Sequence, residues 1–144
     1  MKVLGIAIKK NEIWYSVVSG SKMSDAIIIE TGKQIFKADS PLQSLMMEFS
    51  NIYAELIVKY KPNRIAYKLY LDAKKDQIPY MHYSLGILNL VSKQQGIETS
   101  ERTGNWIVAG KKAKIARFCE YFNEHNFKNE ELAASLIAWY ELEE

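Results

Sequence analysis

The sequence predicts an α/β domain in which helices cover both faces of a mixed five-stranded sheet. Three observations support this fold class. The chain opens with three segments rich in β-forming residues that are joined by short polar turns, which is typical of an antiparallel meander. The later apolar segments alternate between the periods of helices and of strands. Strands separated by helices can run parallel to one another in the same sheet.

The first three strands are short and strongly apolar. Residues 3–8 form an almost unbroken apolar run, which predicts a strand buried on both faces. Residues 13–18 are rich in β-branched and aromatic side chains and predict the second strand. Residues 26–30 predict the third strand, with a turn at residues 31–33 and a short edge extension at residues 34–37 as an open alternative.

A long amphipathic helix follows. Apolar residues recur three and four apart over residues 42–60, which predicts one buried helical face. Ser40 suits the N-cap, Pro41 suits the first helical position, and Gln43 completes a Ser-x-x-Gln capping box. Pro62 ends the helix, because the residue before a proline avoids the helical region.

The rest of the chain alternates strand and helix. Residues 64–71 alternate in polarity and predict a fourth strand, a second helix begins near Pro79, and residues 97–100 predict a fifth strand. Residues 111–122 predict a third helix, and Asn129 suits the N-cap of a last helix. The inward positions of that last helix are Leu132, Leu136, Ile137 and Tyr140.

Composition predicts one soluble domain over residues 1–144. The chain has 48% hydrophobic and 25% charged residues, which is ordinary for a globular protein. No apolar run approaches the roughly 18–20 residues that a transmembrane helix needs, so no membrane partner is predicted. The single cysteine, Cys119, cannot form an internal disulfide, and the N-terminus does not look like a signal peptide, so we expect a cytoplasmic protein.

The chain has an apolar strand motif at residues 2–7, a proline-containing strand motif at residues 61–68 and an alanine-rich helix motif at residues 131–138. In this order the three segments resemble the RuvC-like Holliday-junction resolvases of the ribonuclease H-like superfamily. Residues 2–7, Lys-Val-Leu-Gly-Ile-Ala, are similar to the first strand of that family, which reads basic-aliphatic-Leu-Gly-Ile-Asp. Residues 61–68 resemble its fourth strand, a proline-started aliphatic run that ends in a catalytic Glu. Residues 131–138 resemble its last helix, an Asp-Ala-Ala-Asp-Ala-Leu-Ala pattern. The resemblance covers most of the chain in order and spacing, and it implies the ribonuclease H-like fold.

The resemblance also implies that most metal-binding acids are missing. In that family carboxylates hold two Mg²⁺ ions about 3.5–4 Å apart at the phosphodiester. The first-strand Asp aligns with Ala7, and the fourth-strand Glu aligns with Lys68, or with Leu69 if the alignment slips by one residue. On the last helix the first acid aligns with Glu131 and the second with Ala134. The expected result is a non-catalytic relative of a resolvase-type nuclease, without a metal or any other cofactor.

Other roles for these and nearby residues stay open. Glu131, together with Glu130, lies in the first turn of a helix, where negative charge favours the helix dipole without any metal role. Tyr80, His82 and Tyr83 lie near the start of the second helix, where an anion is favoured, and they form a candidate cleft or simply pack.

A basic segment suggests a nucleic-acid contact. Lys111, Lys112, Lys114 and Arg117 lie in one predicted helix, and Trp106 precedes it and could stack on a base. Alternatively, this is a solvated helix face, or it faces the acidic C-terminal segment.

Three hypotheses of function therefore remain. The first is a binding module whose partner is either nucleic acid, bound weakly and without sequence specificity, or another protein. The second is a self-assembling protein-interaction module without a nucleic-acid role, and the third is a hydrolase with an unrecognised site. We also expect a homodimer, anchored by Trp14, Trp106 or Trp139, because exposed sheet edges need cover and tryptophan is enriched at interface cores.

Overall fold

The computed structural model describes residues 1–103, 116–118, 120, 122, 127 and 130–143. Five strands form one mixed sheet of order β3-β2-β1-β4-β5. The strands are β1 Lys2–Lys9, β2 Glu12–Ser19, β3 Ile27–Ile35, β4 Arg64–Leu69 and β5 Glu98–Thr103. The helices are α1 Leu42–Tyr60, α2 Ile78–Gln94 and α3 Glu131–Trp139. Strands β1, β2 and β3 pair antiparallel, and β4 runs parallel to both β1 and β5. The predicted meander and the predicted parallel half are both confirmed.

Helices lie on both faces of the sheet, as the sequence predicts. Leu4, Ile6 and Ile8 of β1 join one apolar cluster with the buried residues of α1 and α2. Val3 of β1 joins a second cluster with the buried residues of α3. The alternation of side chains along a strand explains this division, because successive residues point to opposite faces. The two clusters define an α1/α2 face and an α3 face of the sheet.

Helix α3 packs directly on the backbone of β1. A Cβ added to Gly5 would lie only 2.0 Å from the carbonyl oxygen of Ala134, so only glycine permits this approach. Two polar contacts fix the helix further: the buried hydroxyl groups of Ser135 and Ser16 are 2.8 Å apart, and the indole Nε1 of Trp139 donates to the carbonyl oxygen of Met23 at 3.0 Å.

The third strand differs from the prediction. Residues 31–33 continue β3 instead of forming a turn, because Gly32 lies opposite Tyr15 of β2. A Cβ on Gly32 would lie 2.5 Å from the Tyr15 hydroxyl oxygen, so the glycine makes room for a side chain. The predicted capping box of α1 is also wrong. The helix begins at Leu42 with Pro41 as its N-cap, and no side chain caps it.

Several boundaries and inward positions are corrected as well. Strand β5 extends to Thr103, and Leu132 is 37% exposed instead of buried. Trp14 and Trp139 are only 4% and 0% exposed, so neither can anchor a dimer contact.

In the predicted third helix, residues 116–118 are helical. Phe118 and Phe122 are buried against the cluster under α3, and Cys119 lies outside the described residues. No helix among the described residues is long and apolar enough to cross a membrane.

Candidate functional site

One line of residues crosses all five strands on the α3 face. Lys33 of β3 pairs with Trp14 of β2, and Trp14 pairs with Ala7 of β1. Ile6 of β1 pairs with Tyr67 of the parallel strand β4. The next residues along these two strands, Ala7 and Lys68, therefore lie beside each other. We call the line Lys33, Trp14, Ala7, Lys68 and Arg102 the strand-end row. It lies at the carboxyl ends of the parallel strands, where ligands of open α/β sheets bind.

The two β4 residues that the resemblance aligns with the family's Glu, Lys68 and Leu69, lie on opposite faces of the sheet. Ala66 belongs to the apolar cluster under α3, and Lys68 follows it by two residues on the same face. Leu69 packs against the opposite cluster. Lys68 is therefore the residue of β4 that shares a face with Ala7 and with Ala134 of α3. Lys68 pairs with Arg102 of β5, so two basic residues stand side by side in this row.

A cavity of ≈ 250 Å³ lies at the same end of the sheet. Four segments enclose it: the turn after β1, the loop after β4, the start of α2 and the residue before α3. We call it the Glu130 cavity. Its lining residues are Ile8, Lys9, Lys10, Tyr70, Asp72, Ala73, Lys74, Gln77, Met81 and Glu130. Three of these side chains are lysines and two are carboxylates, so the lining carries a small positive excess.

Glu130 is the hydrogen-bonding centre of the cavity. Its carboxylate accepts a hydrogen bond from the Tyr70 hydroxyl, and the Lys9 Nζ lies 3.7 Å from its other oxygen. Burial raises the pKa of the Tyr70 hydroxyl above its ordinary value, and the hydrogen bond to Glu130 raises it further. Tyr70 is therefore a neutral hydrogen-bond donor at physiological pH.

Lys68 makes a contact with an aromatic ring, and the carboxylates near it are beyond ion-pair distance among the described residues. Its Nζ lies 4.0 Å from the ring centroid of Tyr70, which is a cation–π contact. No carboxylate among the described residues lies within ion-pair distance of this amine. Burial lowers the pKa of Lys68 and Lys9 lowers it further, while Glu130 and Asp72 oppose the shift. The amine is half-buried and available to an anionic ligand.

Trp14 contributes a buried donor to the same row. Its indole Nε1 is buried and has no hydrogen-bond partner among the described residues. The Lys33 Nζ lies 5.1 Å from the Trp14 ring centroid and 2.9 Å from a carboxylate oxygen of Glu12. Lys33 is thus held over the indole by two contacts.

The residues at this site do not fit a two-metal centre. Ala7 and Ala134 offer no side-chain ligand atom, and Lys68 would repel a cation. Among the described residues, no group of three His, Cys, Asp or Glu side chains is close enough to hold a metal ion.

The structure separates some residues that the sequence had grouped. Glu130, rather than Glu131, lines the cavity. From α2 the lining residues are Gln77 and Met81, which are one helical turn apart, and not Tyr80, His82 or Tyr83. Tyr80 packs against Phe36 in the core, with ring centroids 6.3 Å apart, whereas His82 and Tyr83 are exposed.

The predicted basic segment is described only at one position. Arg117 is half-exposed in a helical segment. Trp106, Lys111, Lys112 and Lys114 lie outside the described residues.

Sequence reasoning missed Lys9, Tyr70 and Asp72. The pair Lys9-Lys10, directly after an apolar strand of the resembled type, is the one signal that could have drawn attention to this edge.

Comparison with solved structures places the fold. Thermus thermophilus RuvC is similar with a TM-score of 0.78 at 13% identity, over 96% of this chain and 92% of that chain. T. thermophilus RuvC in complex with a Holliday junction substrate has a TM-score of 0.74 at 15% identity, over 96% and 90%. The yeast mitochondrial Holliday junction resolvase Ydc2 has a TM-score of 0.66 at 16% identity, over 95% and 75%. The sequence matches no protein-family model and no curated protein. The chain therefore has a ribonuclease H-like fold and resembles RuvC in structure.

Proposed function

We propose that this ribonuclease H-like chain binds nucleic acid at the strand-end row and does not cleave it. One observation carries the proposal: Lys68 presents a half-buried ammonium group beside Ala7, where the resemblance implies metal-binding carboxylates, and this group has no ion pair within the part of the chain that the structure describes. A lysine at this position supplies the positive charge that a phosphate group needs. The similar RuvC structure in complex with a Holliday junction substrate supports a nucleic-acid ligand for this fold.

The chemistry of the residues favours binding without hydrolysis. An ammonium group neutralises a phosphate and donates charge-assisted hydrogen bonds to it. It does not lower the pKa of a bound water as a metal ion does, so it produces no hydroxide nucleophile. Lys10 and Lys74 on the rim of the Glu130 cavity add further positive charge for neighbouring phosphates.

Fluorescence anisotropy with labelled duplex, single-stranded and four-way-junction DNA tests this proposal. We expect Lys68→Gln to weaken binding by about tenfold, which corresponds to about 1.4 kcal/mol. We also expect the slope of log affinity against log salt for duplex to fall by about one, because one phosphate contact is lost.

A matched variant serves as the control. Lys93→Gln removes an exposed lysine in the last turn of α2, and we expect it to leave the affinity unchanged. Equal affinities of the wild type and Lys68→Gln would reject the strand-end row as the binding site. Cleavage of any of these DNAs in Mg²⁺ would reject a non-catalytic role.

The basic segment at residues 111–117 is a second surface for the same ligand. If its four cations contact duplex phosphates, this segment should contribute about −3 to −4 to the slope of log affinity against log salt concentration. Replacing Lys111, Lys114 and Arg117 together with glutamine should remove about three quarters of that part of the slope, because Lys112 remains. A slope that is unchanged in the triple variant would show that the segment is a solvated face.

A second candidate function is self-assembly along β3. This nine-residue edge strand exposes Ile27 and Ile35, which are 61% and 60% exposed. Antiparallel pairing of two copies along β3 would satisfy the unpaired backbone groups of both edges and cover exposed isoleucine side chains, Ile35 among them. Sedimentation should then show a dimer that Ile35→Lys converts to a monomer, and a wild-type monomer at tens of micromolar would reject this candidate.

A further inference from the structure

We propose that the Glu130 cavity receives one unpaired nucleotide of the bound nucleic acid, with a preference for a base that carries an exocyclic amino group. This inference rests on the proposed function and adds a specificity to it. The cavity volume of ≈ 250 Å³ lies below the range of about 300–1,000 Å³ that is usual for drug-sized ligands. A cavity of this volume has room for a single base.

The walls of the cavity suit a flat apolar ring. Ile8, Ala73 and Met81 supply apolar surface from three different elements, and Tyr70 supplies an aromatic ring. Unpaired bases stack on aromatic and apolar side chains irrespective of sequence, because every base has a π face. The neutral Tyr70 hydroxyl is occupied by Glu130, so the ring is held in place before any ligand arrives.

The polar groups of the cavity favour amino-bearing bases. Asp72 lines the cavity, and its carboxylate has no hydrogen bond or ion pair among the described residues. A carboxylate accepts hydrogen bonds from the amino groups of cytosine, adenine and guanine, but it repels the carbonyl oxygen that thymine presents at the corresponding position. Gln77 adds an amide at the start of α2 that can donate to a ring carbonyl.

Lysines on the rim are placed for the phosphates of that nucleotide. Lys10 lines the cavity from the turn between β1 and β2, and its backbone has a positive φ of 56°. Glycine or asparagine is the usual residue in this left-handed region, so a lysine there is strained. Lys10 takes this conformation in the two-residue hairpin turn between the paired residues Lys9 and Glu12, and the turn fixes its position at the cavity.

The chain offers a matched lysine elsewhere. Lys61 has a similar φ of 48°, but it ends α1 and does not line the cavity. Glycine suits the backbone at both positions, so Lys10→Gly and Lys61→Gly should both fold and should both keep or raise the melting temperature. Only Lys10→Gly removes a charge from the cavity rim.

The experiment compares three labelled duplexes: fully paired, with one bulged cytosine, and with one bulged thymine. With the wild type we expect the cytosine bulge to bind about tenfold tighter than the paired duplex, and the thymine bulge to show a smaller gain. Ala73→Phe fills the cavity and should bind all three duplexes alike. Lys10→Gly should reduce the preference for the bulge, whereas Lys61→Gly should retain it.

The outcomes separate this inference from the proposed function. If the wild type binds all three duplexes with one affinity, and Lys68→Gln weakens all of them, the strand-end row binds nucleic acid and the cavity takes no nucleotide. If no DNA binds, the proposed function fails and this inference fails with it. Free CMP should not raise the melting temperature at millimolar concentration. If CMP raises the melting temperature and the protein shows no preference for the bulged duplexes, the cavity binds free nucleotides. That result would overturn the inference that its ligand is a nucleotide within a nucleic-acid strand.

Discussion

Gly5 of β1 lies directly against the carbonyl oxygen of Ala134 in α3, and the position of its missing Cβ is 2.0 Å from that oxygen. The same position is 3.0 Å from the Cβ of Ala138, one turn further along the helix. At this point helix α3 therefore rests on the main chain of β1 and not on a side chain. This contact sets how closely the residue before α3, Glu130, approaches the carboxyl end of β1.

The first prediction concerns this contact. Gly5→Ala should destabilise the protein by about 1–3 kcal/mol, because the added methyl group overpacks a rigid backbone contact. Gly86→Ala in α2 is the control: no atom lies within 4 Å of its added Cβ, and alanine in a helix interior should stabilise by about 0.5–1 kcal/mol. Urea unfolding followed by circular dichroism measures both changes. A neutral Gly5→Ala would show that α3 shifts freely on the sheet.

The second prediction concerns Glu141, which follows α3. Its side chain is 7% exposed and lies 3.4 Å from the Nε of Arg64 and 3.3 Å from a terminal nitrogen of Arg102. Glu141→Gln removes the negative charge between two guanidinium groups, so we expect a loss of about 1–3 kcal/mol in unfolding free energy. The control is Glu98→Gln. Glu98 also pairs with Arg64, at 3.3 Å, but its side chain is 80% exposed, so its change should stay within about 0.5 kcal/mol.

The third prediction is a loss of stability at alkaline pH. Burial raises the pKa of the Tyr53 hydroxyl above its ordinary value of about 10, and the hydrogen bond to Ser84, at 2.6 Å, only partly opposes this. A folded-state pKa above the unfolded one means that the stability is complete below about pH 10 and is lost as the pH rises further. The same direction holds for three more tyrosines, Tyr60, Tyr67 and Tyr70.

Tyr53→Phe provides the test of this pH dependence. The variant lacks the hydrogen bond to Ser84, so its free energy of unfolding at neutral pH should be about 1 kcal/mol lower than that of the wild type. Above about pH 10 its unfolding free energy should fall less steeply than that of the wild type. Urea unfolding as a function of pH, together with tyrosinate absorbance, measures both effects. Identical slopes for the two proteins would contradict the buried, protonated state of Tyr53.

The fourth prediction concerns divalent metals. A ligand that binds only the folded state at 100 times its dissociation constant stabilises it by about 2.7 kcal/mol, which is a shift of several degrees in a domain of this size. We expect no such shift with millimolar Mg²⁺ or Mn²⁺, because Ala7, Lys68 and Ala134 supply no ligand oxygen from their side chains. A shift that disappears in Glu130→Gln or Glu131→Gln would reveal a metal site that uses either acid.

The fifth prediction is that Lys68 reduces stability. Burial lowers its pKa in the folded protein, so the unfolded chain holds this proton more tightly and the charged amine opposes folding at neutral pH. Lys68→Met keeps the length and apolar stem of the side chain but removes the charge. Its melting temperature should equal or exceed that of the wild type, while its affinity for DNA falls. A clear drop in melting temperature would assign Lys68 a structural role.

The fold was predictable because most of its determinants are local. Apolar periodicity placed α1 and α2 within one or two residues, and the run over residues 3–8 identified the central strand. The error at Gly32 has a long-range cause. Glycine between polar residues indicates a turn in the sequence alone, whereas here it accommodates the Tyr15 side chain of the neighbouring strand.

The candidate site was less predictable. Its cavity is assembled from three regions that are far apart in sequence, residues 8–10, 70–81 and 130, and no local pattern reports that Lys9, Tyr70 and Glu130 meet. The choice of Glu131 instead of Glu130 shows the same problem on a smaller scale. One residue at a helix start changes the direction of a side chain by about 100°. The packing of α3 on the sheet, including the contact of Ala134 with Gly5, fixes which acid faces the sheet edge.

The half-buried amine of Lys68 has a consequence for how the proposed site would respond to its surroundings. A metal ion is exchangeable, so a chelator or a change in ion supply can switch off a site that depends on it. The charge of Lys68 is a covalent part of the chain and cannot be withdrawn in this way. Only a reaction at the amine itself, such as acetylation, would remove the charge. Retention of nucleic acid at this face would therefore continue unaltered in EDTA.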